Sequence, residues 1–141
     1  MRRLFLLLTS ICVATIIGAC SNNHNFSNLP NKAKLFLEKY FQGNSILFVE
    51  QEFDDGRLVT TVHLQDAIEI EFNNRGEWIE ISCPHGISGE LIPTPIYSFV
   101  EENYPSCFIV KIQRKSHHYQ IELNNDVELI FNKEGKFIRI D

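Results

Sequence analysis

Two stretches of the chain carry apolar residues at helical spacing, and each is followed by a longer stretch in which apolar and polar residues alternate. Ala33, Phe36, Leu37 and Phe41 fall at i, i+3, i+4 and i+8, as do Ile96, Phe99, Val100 and Tyr104, so each set predicts a helix with one apolar face. Pro30 and Pro93 suit the opening of such helices, while Gly43 and Pro105 end them. Beyond each helix the period switches to two. Turn residues cluster at Asp54-Asp55-Gly56, Gln65-Asp66, Asn73-Asn74-Arg75-Gly76, Asn124-Asn125-Asp126 and Asn132-Lys133-Glu134-Gly135. They separate strands expected at 45–53, 58–64, 67–73 and 77–82, then at 107–115, 117–123, 127–132 and 136–140.

The two halves match each other. At an offset of 63, Leu29-Pro30 meets Ile92-Pro93, Phe36 meets Phe99, Glu38 meets Glu101 and Ile46 meets Ile109. At an offset of 59, Leu64 meets Leu123, Glu69 meets Glu128, Phe72-Asn73 meets Phe131-Asn132 and Gly76 meets Gly135. The expected fold is therefore α+β, two tandem repeats over 29–82 and 92–141 with a linker at 83–91, each repeat a helix packed on a four-stranded antiparallel sheet.

Alternation assigns the two faces of each expected sheet. Leu47, Val49, Val62, Leu64, Ile68, Ile70, Phe72, Ile79 and Ile81 are expected under the first helix. Val110, Ile112, Tyr119, Ile121, Leu123, Val127, Leu129, Phe131, Ile138 and Ile140 are expected under the second. The opposite face would then carry Phe48, His63, Glu69, Glu71, Trp78, Glu80, Ile130, Phe137 and Arg139. Aromatic residues exposed among carboxylates form a candidate surface for a protein or peptide; Trp78 packing over its own neighbours or against the other repeat is the competing reading.

The N-terminus changes the picture of where this domain works. Arg2 and Arg3 precede a short apolar run that ends in Ile17-Gly18-Ala19-Cys20, which reads as a lipoprotein signal peptide at 1–19 with Cys20 as the lipidated residue. Ordinary cleavage after Ala19 with a free Cys20 is the alternative. An Asn- and Ser-rich tether at 20–28 comes next, without an acidic cluster, which favours the periplasmic side of a bacterial envelope. Removing 1–19 takes two arginines and no acid, so the net charge of −5 becomes −7. That charge disfavours nucleic acid, whose phosphates require a basic surface. The acid sits mainly in the first repeat, at net −5 against −1 in the second, so a partner docking there is expected to be basic or neutral.

The hairpins Glu69-Ile70-Glu71-Phe72-Asn73-Asn74-Arg75-Gly76-Glu77-Trp78 and Glu128-Leu129-Ile130-Phe131-Asn132-Lys133-Glu134-Gly135-Lys136-Phe137, with Cys83 after the first, resemble the PepSY-like family, also described as beta-lactamase-inhibitor-like. The resemblance covers roughly 29–141. Asn73 and Asn132 stand where the family often has an acid, and Ala67 and Asp126 where it often has Gly. The resemblance implies a secreted or lipid-anchored bacterial protein with a concave sheet, and it brings inhibition of an enzyme only as an implied role.

Chemistry is thinly represented. Cys83 and Cys107 could pair outside the cytoplasm or remain separate half-buried thiols, and both readings stay open. Cys83-Pro84-His85-Gly86 lacks an orienting partner for nucleophilic catalysis. His117 and His118 are adjacent on an expected strand and point to opposite faces, which argues against a metal site. No phosphate loop, GxSxG or HExxH motif is present, and no cofactor is implied. The expectation is a non-enzymatic, lipid-anchored envelope protein that binds a protein or peptide through its open sheet face, possible inhibition included. A structural or stress-related envelope protein is the alternative, and a hydrolase the remote one.

Overall fold

The computed structural model describes residues 23–54 and 56–141. The signal peptide at 1–19, the lipidation site Cys20 and the first residues of the tether lie outside the described residues. A 3-10 turn over Asn23–Asn28 leads into helix α1 (Asn31–Tyr40) and strands β1 (Ile46–Asp54), β2 (Arg57–Leu64), β3 (Glu69–Asn73) and β4 (Trp78–Ser82). Helix α2 (Thr94–Asn103) then precedes β5 (Ile109–Arg114), β6 (His118–Leu123), β7 (Glu128–Asn132) and β8 (Phe137–Ile140). No helix among the described residues is long and apolar enough to cross a membrane.

Two separate four-stranded sheets are not what forms. All strands join one eight-stranded antiparallel sheet in chain order, β1 to β8. The join is the β4–β5 pairing, where Glu80, Ile81 and Ser82 stand opposite Gln113, Ile112 and Lys111. Fusing the sheets pairs two strands that would otherwise be free edges with unmatched backbone groups.

Both helices cover one face. The register lays Val49, Val62, Ile70, Ile81, Ile112, Ile121, Leu129 and Ile140 in a row across the sheet. All but Val49 and Ile140 are fully buried in one core with Ala33, Leu37, Ile96 and Val100 of the helices. Phe36 meets Phe72 edge-on at 5.8 Å between ring centroids, and Phe99 meets Phe131 in the same way at 5.3 Å.

Four β-bulges interrupt the alternation, between Ile46 and Phe48, Glu71 and Phe72, Ile109 and Lys111, and Ile130 and Phe131. Each inserts one residue and reverses the faces of the residues beyond it. The core positions expected of Leu47, Val110, Ile79 and Ile138 are corrected accordingly. Leu47 and Ile138 are half exposed; Ile46 and Ile109 pack on the core in place of Leu47 and Val110, and Trp78 and Phe137 turn toward the helices in place of Ile79 and Ile138.

Candidate functional site

The open face of the sheet is built by the strand residues that the core does not use. Its central row runs Glu50, Thr61, Glu71, Glu80, Gln113, Gln120, Ile130 and Arg139, one residue from each strand. A second row runs Phe48, His63, Glu69, Ser82, Lys111, Glu122 and Glu128. Seven of the nine residues expected on this face are therefore there. The other two are corrections: Trp78 and Phe137 face the helices, because the residue after each is the bulge. Trp78 packs against the core with the Arg114 guanidinium 4.5 Å from its ring centroid, and Arg114 Nη1 donates to the Trp78 carbonyl at 3.2 Å. Phe137 stacks on Phe99 at 4.7 Å.

At the β1 end, Phe48 stacks on the His63 ring at 4.0 Å, and His63 stands between two carboxylates, Nδ1 3.1 Å from Glu69 and Nε2 3.2 Å from Glu50. A neutral imidazole has one N–H and can donate to one of them, whereas the imidazolium donates to both. At the middle of the sheet, Lys111 Nζ lies 2.7 Å from Glu80 Oε1, and Gln113 donates to Glu80 Oε2. Burial disfavours the Lys111 charge, but the hydrogen bond and charge of Glu80 outweigh it and raise the ammonium pKa. Toward β7, Gln120 donates to Glu128 at 2.7 Å. Ile130 is buried on this face, outside the main core.

Between these groups lies a cleft of about 390 Å³, lined by Glu52, Asp54, Glu71 and Glu80 together with Val59 and Ile79; the cations Arg57, Arg114 and Lys115 also line it. Glu71 is its unusual member. Burial pushes its carboxyl above the usual range, and the like charges of Glu80, directly opposite on β4, and of Glu52 add to the effect against Lys111 and Lys115. Glu80 has an ammonium and an amide on its two oxygens, while Glu71 is half-buried with Glu80 and Glu52 on one side of its charge balance and Lys111 and Lys115 on the other. A cation entering the cleft would stabilise the ionised form of Glu71. Glu52, Val59 and Ile79 are cleft residues that period-two counting did not select; for Ile79 the signal was the odd residue between Gly76 and the core Ile81.

Cys83 and Cys107 are free thiols, both half-buried against the core, so the pairing left open by the sequence is not made in the structure. Among the described residues, no group of three or more His, Cys, Asp or Glu side chains is placed to hold a metal ion.

Residues 59–139 match the family described as "Putative beta-lactamase-inhibitor-like, PepSY-like". No curated protein matches the chain significantly. Among solved structures, a "putative periplasmic protein of unknown function" from Bacteroides vulgatus is 32% identical, covering 82% of this chain and 93% of its own, at a TM-score of 0.78. A "putative calcium-regulated periplasmic protein" from Bacteroides thetaiotaomicron is 28% identical over 82% of this chain and 91% of its own, also at 0.78. No enzymatic family emerges from these similarities, and the relatives are described as periplasmic. With the eight-stranded sheet, its two helices and a family match over most of the strands, the chain belongs to the PepSY-like family.

Proposed function

We propose that this chain is a non-enzymatic, lipid-anchored envelope protein whose open sheet face binds a basic segment of a protein or peptide. The cleft on that face carries the reading: apolar Val59 and Ile79 can cover the methylenes of a lysine or arginine side chain, and Glu71, half-buried beside Glu80 and Glu52, gains from its cationic head. The match at Cys20 to a lipidation site and the periplasmic relatives support the location. Inhibition of an enzyme would be one use of such a face.

The same reading takes 29–82 and 92–141 as two copies of one unit. Its support is the pair of glycines with positive φ, Gly76 at 73° and Gly135 at 79°, each pressed on a helix start.

The test of binding uses an oligolysine and an oligoglutamate peptide titrated into the labelled protein and monitored by amide chemical shifts. Oligolysine should move the amides of Glu52, Glu71, Ile79 and Glu80, and Glu71→Gln should weaken it severalfold. Equal shifts around every surface acid, or none, would sink the cleft as a site. Anchoring is tested separately: labelled fatty acid should enter the wild type and not Cys20→Ser.

A further inference from the structure

We infer that the β8 edge is where this chain pairs with a second copy of itself, the two β8 strands running antiparallel about a two-fold axis. The proposal stands independently of the ligand and of the anchor.

The two edges of the sheet are unlike. Strand β1 carries Glu50, Glu52 and Asp54, and the Asn23–Asn28 turn lies against it. Like charge and a covering segment are ordinary ways in which an edge is kept from pairing with another copy. Strand β8 has neither safeguard among the described residues. Phe137, Ile138 and Ile140 are 39%, 54% and 58% exposed, and Arg139 is its one charged residue.

The bulge in β8 does not prevent pairing, because the molecule contains a control. Strand β4 carries the matching bulge at Ile79, and β5 still pairs with it beyond that residue, at Glu80–Ser82. By the 59-residue offset, those positions correspond to Arg139–Asp141. The row of core residues that β5 closes over at Ile81 stops uncovered at Ile140, its counterpart.

The residues of the edge themselves identify the occupant. The segment Arg139-Ile140-Asp141 has a cation at one end and an anion at the other, bonded to each other at 2.8 Å within one chain. Run antiparallel against itself, it sets Ile140 opposite the partner's Ile140 and Arg139 opposite the partner's Asp141. Ile140 faces the helices, since it pairs with the core residue Leu129, so the register brings apolar residues together on one face. Shifting it by one residue would set Ile140 against the partner's Arg139, which belongs to the other face. A two-fold contact of this kind closes on itself, whereas β8 on a neighbour's acidic β1 would grow without limit. In the pair the open faces join into one surface with a cleft in each copy.

Sedimentation equilibrium of the mature protein in density-matched detergent, over a concentration series, tests this. The mass should rise from one copy to two and no further. Ile140→Lys should weaken pairing by about tenfold or more, by placing a charge in the apolar seam, and Phe53→Lys on β1, at a site 79% exposed, should leave it unchanged. A single copy at all concentrations would overturn the proposal, as would loss of pairing in Phe53→Lys alone or a mass growing past two copies. Should Ile140→Lys not fold, hydrogen exchange on the wild type decides: amides of 139–141 should exchange more slowly as concentration rises, and concentration-independent exchange overturns the pairing.

Discussion

The β3–β4 and β7–β8 hairpins are built alike and end differently. In each, an Asn side chain closes the turn: Asn73 Oδ1 accepts from the amides of Arg75 and Glu77, and Asn132 Oδ1 from those of Glu134 and Lys136. Gly76 and Gly135 come next with positive φ, where a Cβ would come within 2.8 Å of Pro30 and 2.9 Å of Pro95. A bulge then turns Trp78 and Phe137 toward the helices. Yet Ile81 is fully buried and Ile140 is 58% exposed, and Trp78 lies beneath Arg114 while Phe137 rests on Phe99. The turn and the bulge recur in both hairpins. Burial comes from the next strand, which β4 has in β5 and β8 does not have among the described residues.

The sharpest way to break this comparison is to truncate the matched isoleucines. Ile81→Ala should cost about 2–5 kcal/mol, as for a filled core site. Ile140→Ala, measured at dilution, should stay within about 0.5 kcal/mol, as surface changes do. Equal losses in chemical denaturation would show that the neighbour is not what separates them. Gly76→Val and Gly135→Val probe the shared part, and each should lose roughly 1–3 kcal/mol from backbone strain alone, with the contact against the helix start added. Tolerance of valine at one turn and not the other would mean that the two turns are not equivalent.

Two smaller effects depend on pH. Glu71 has a raised pKa in the folded state, so its contribution to stability is greatest below the ordinary value of 4.5 and is lost as pH rises through the raised one. Glu71→Gln should therefore melt higher than the wild type at neutral pH, and the gain should vanish in acid; a gain that persists below pH 4.5 contradicts the assignment.

The smallest effect belongs to a clamp that one hairpin has and the other lacks. Lys32 Nζ reaches Glu77 at 2.7 Å, and its hydrogen bond, with that of Asn73, holds the Glu77 carboxyl down to about 2. The offsets set Pro95 and Lys136 in the corresponding places, which cannot form such a pair. A lowered carboxylate adds stability above 4.5 that disappears as pH falls toward about 2. Lys32→Met should melt slightly lower than the wild type at neutral pH and equal it near pH 2, since an exposed pair contributes little. A difference that survives at pH 2 would assign the effect to packing instead.

Helices, strands and turns were legible because each depends on neighbours in sequence: Ala33, Leu37, Ile96 and Val100 mark the helix faces, and Asn73 and Gly76 mark a turn by their own conformations. Most of the open face was legible too, as the alternate residues Glu69, Glu71 and Glu80 show. The bulges were not. Period-two counting has no term for one extra residue, so Trp78 and Phe137 exchanged faces with Ile79 and Ile138. The cleft depended on that exchange, since it brings Ile79 beside Glu71.

What the sequence determined by itself is a set of elements, each stabilised by contacts among residues close along the chain. The tertiary structure alone decided that β4 pairs with β5, which residue each bulge displaces, and that Ile140 remains uncovered where Ile81 does not. Those outcomes are set by backbone pairing between distant segments and by which strand happens to have a neighbour, and a local pattern of apolar and polar residues carries neither.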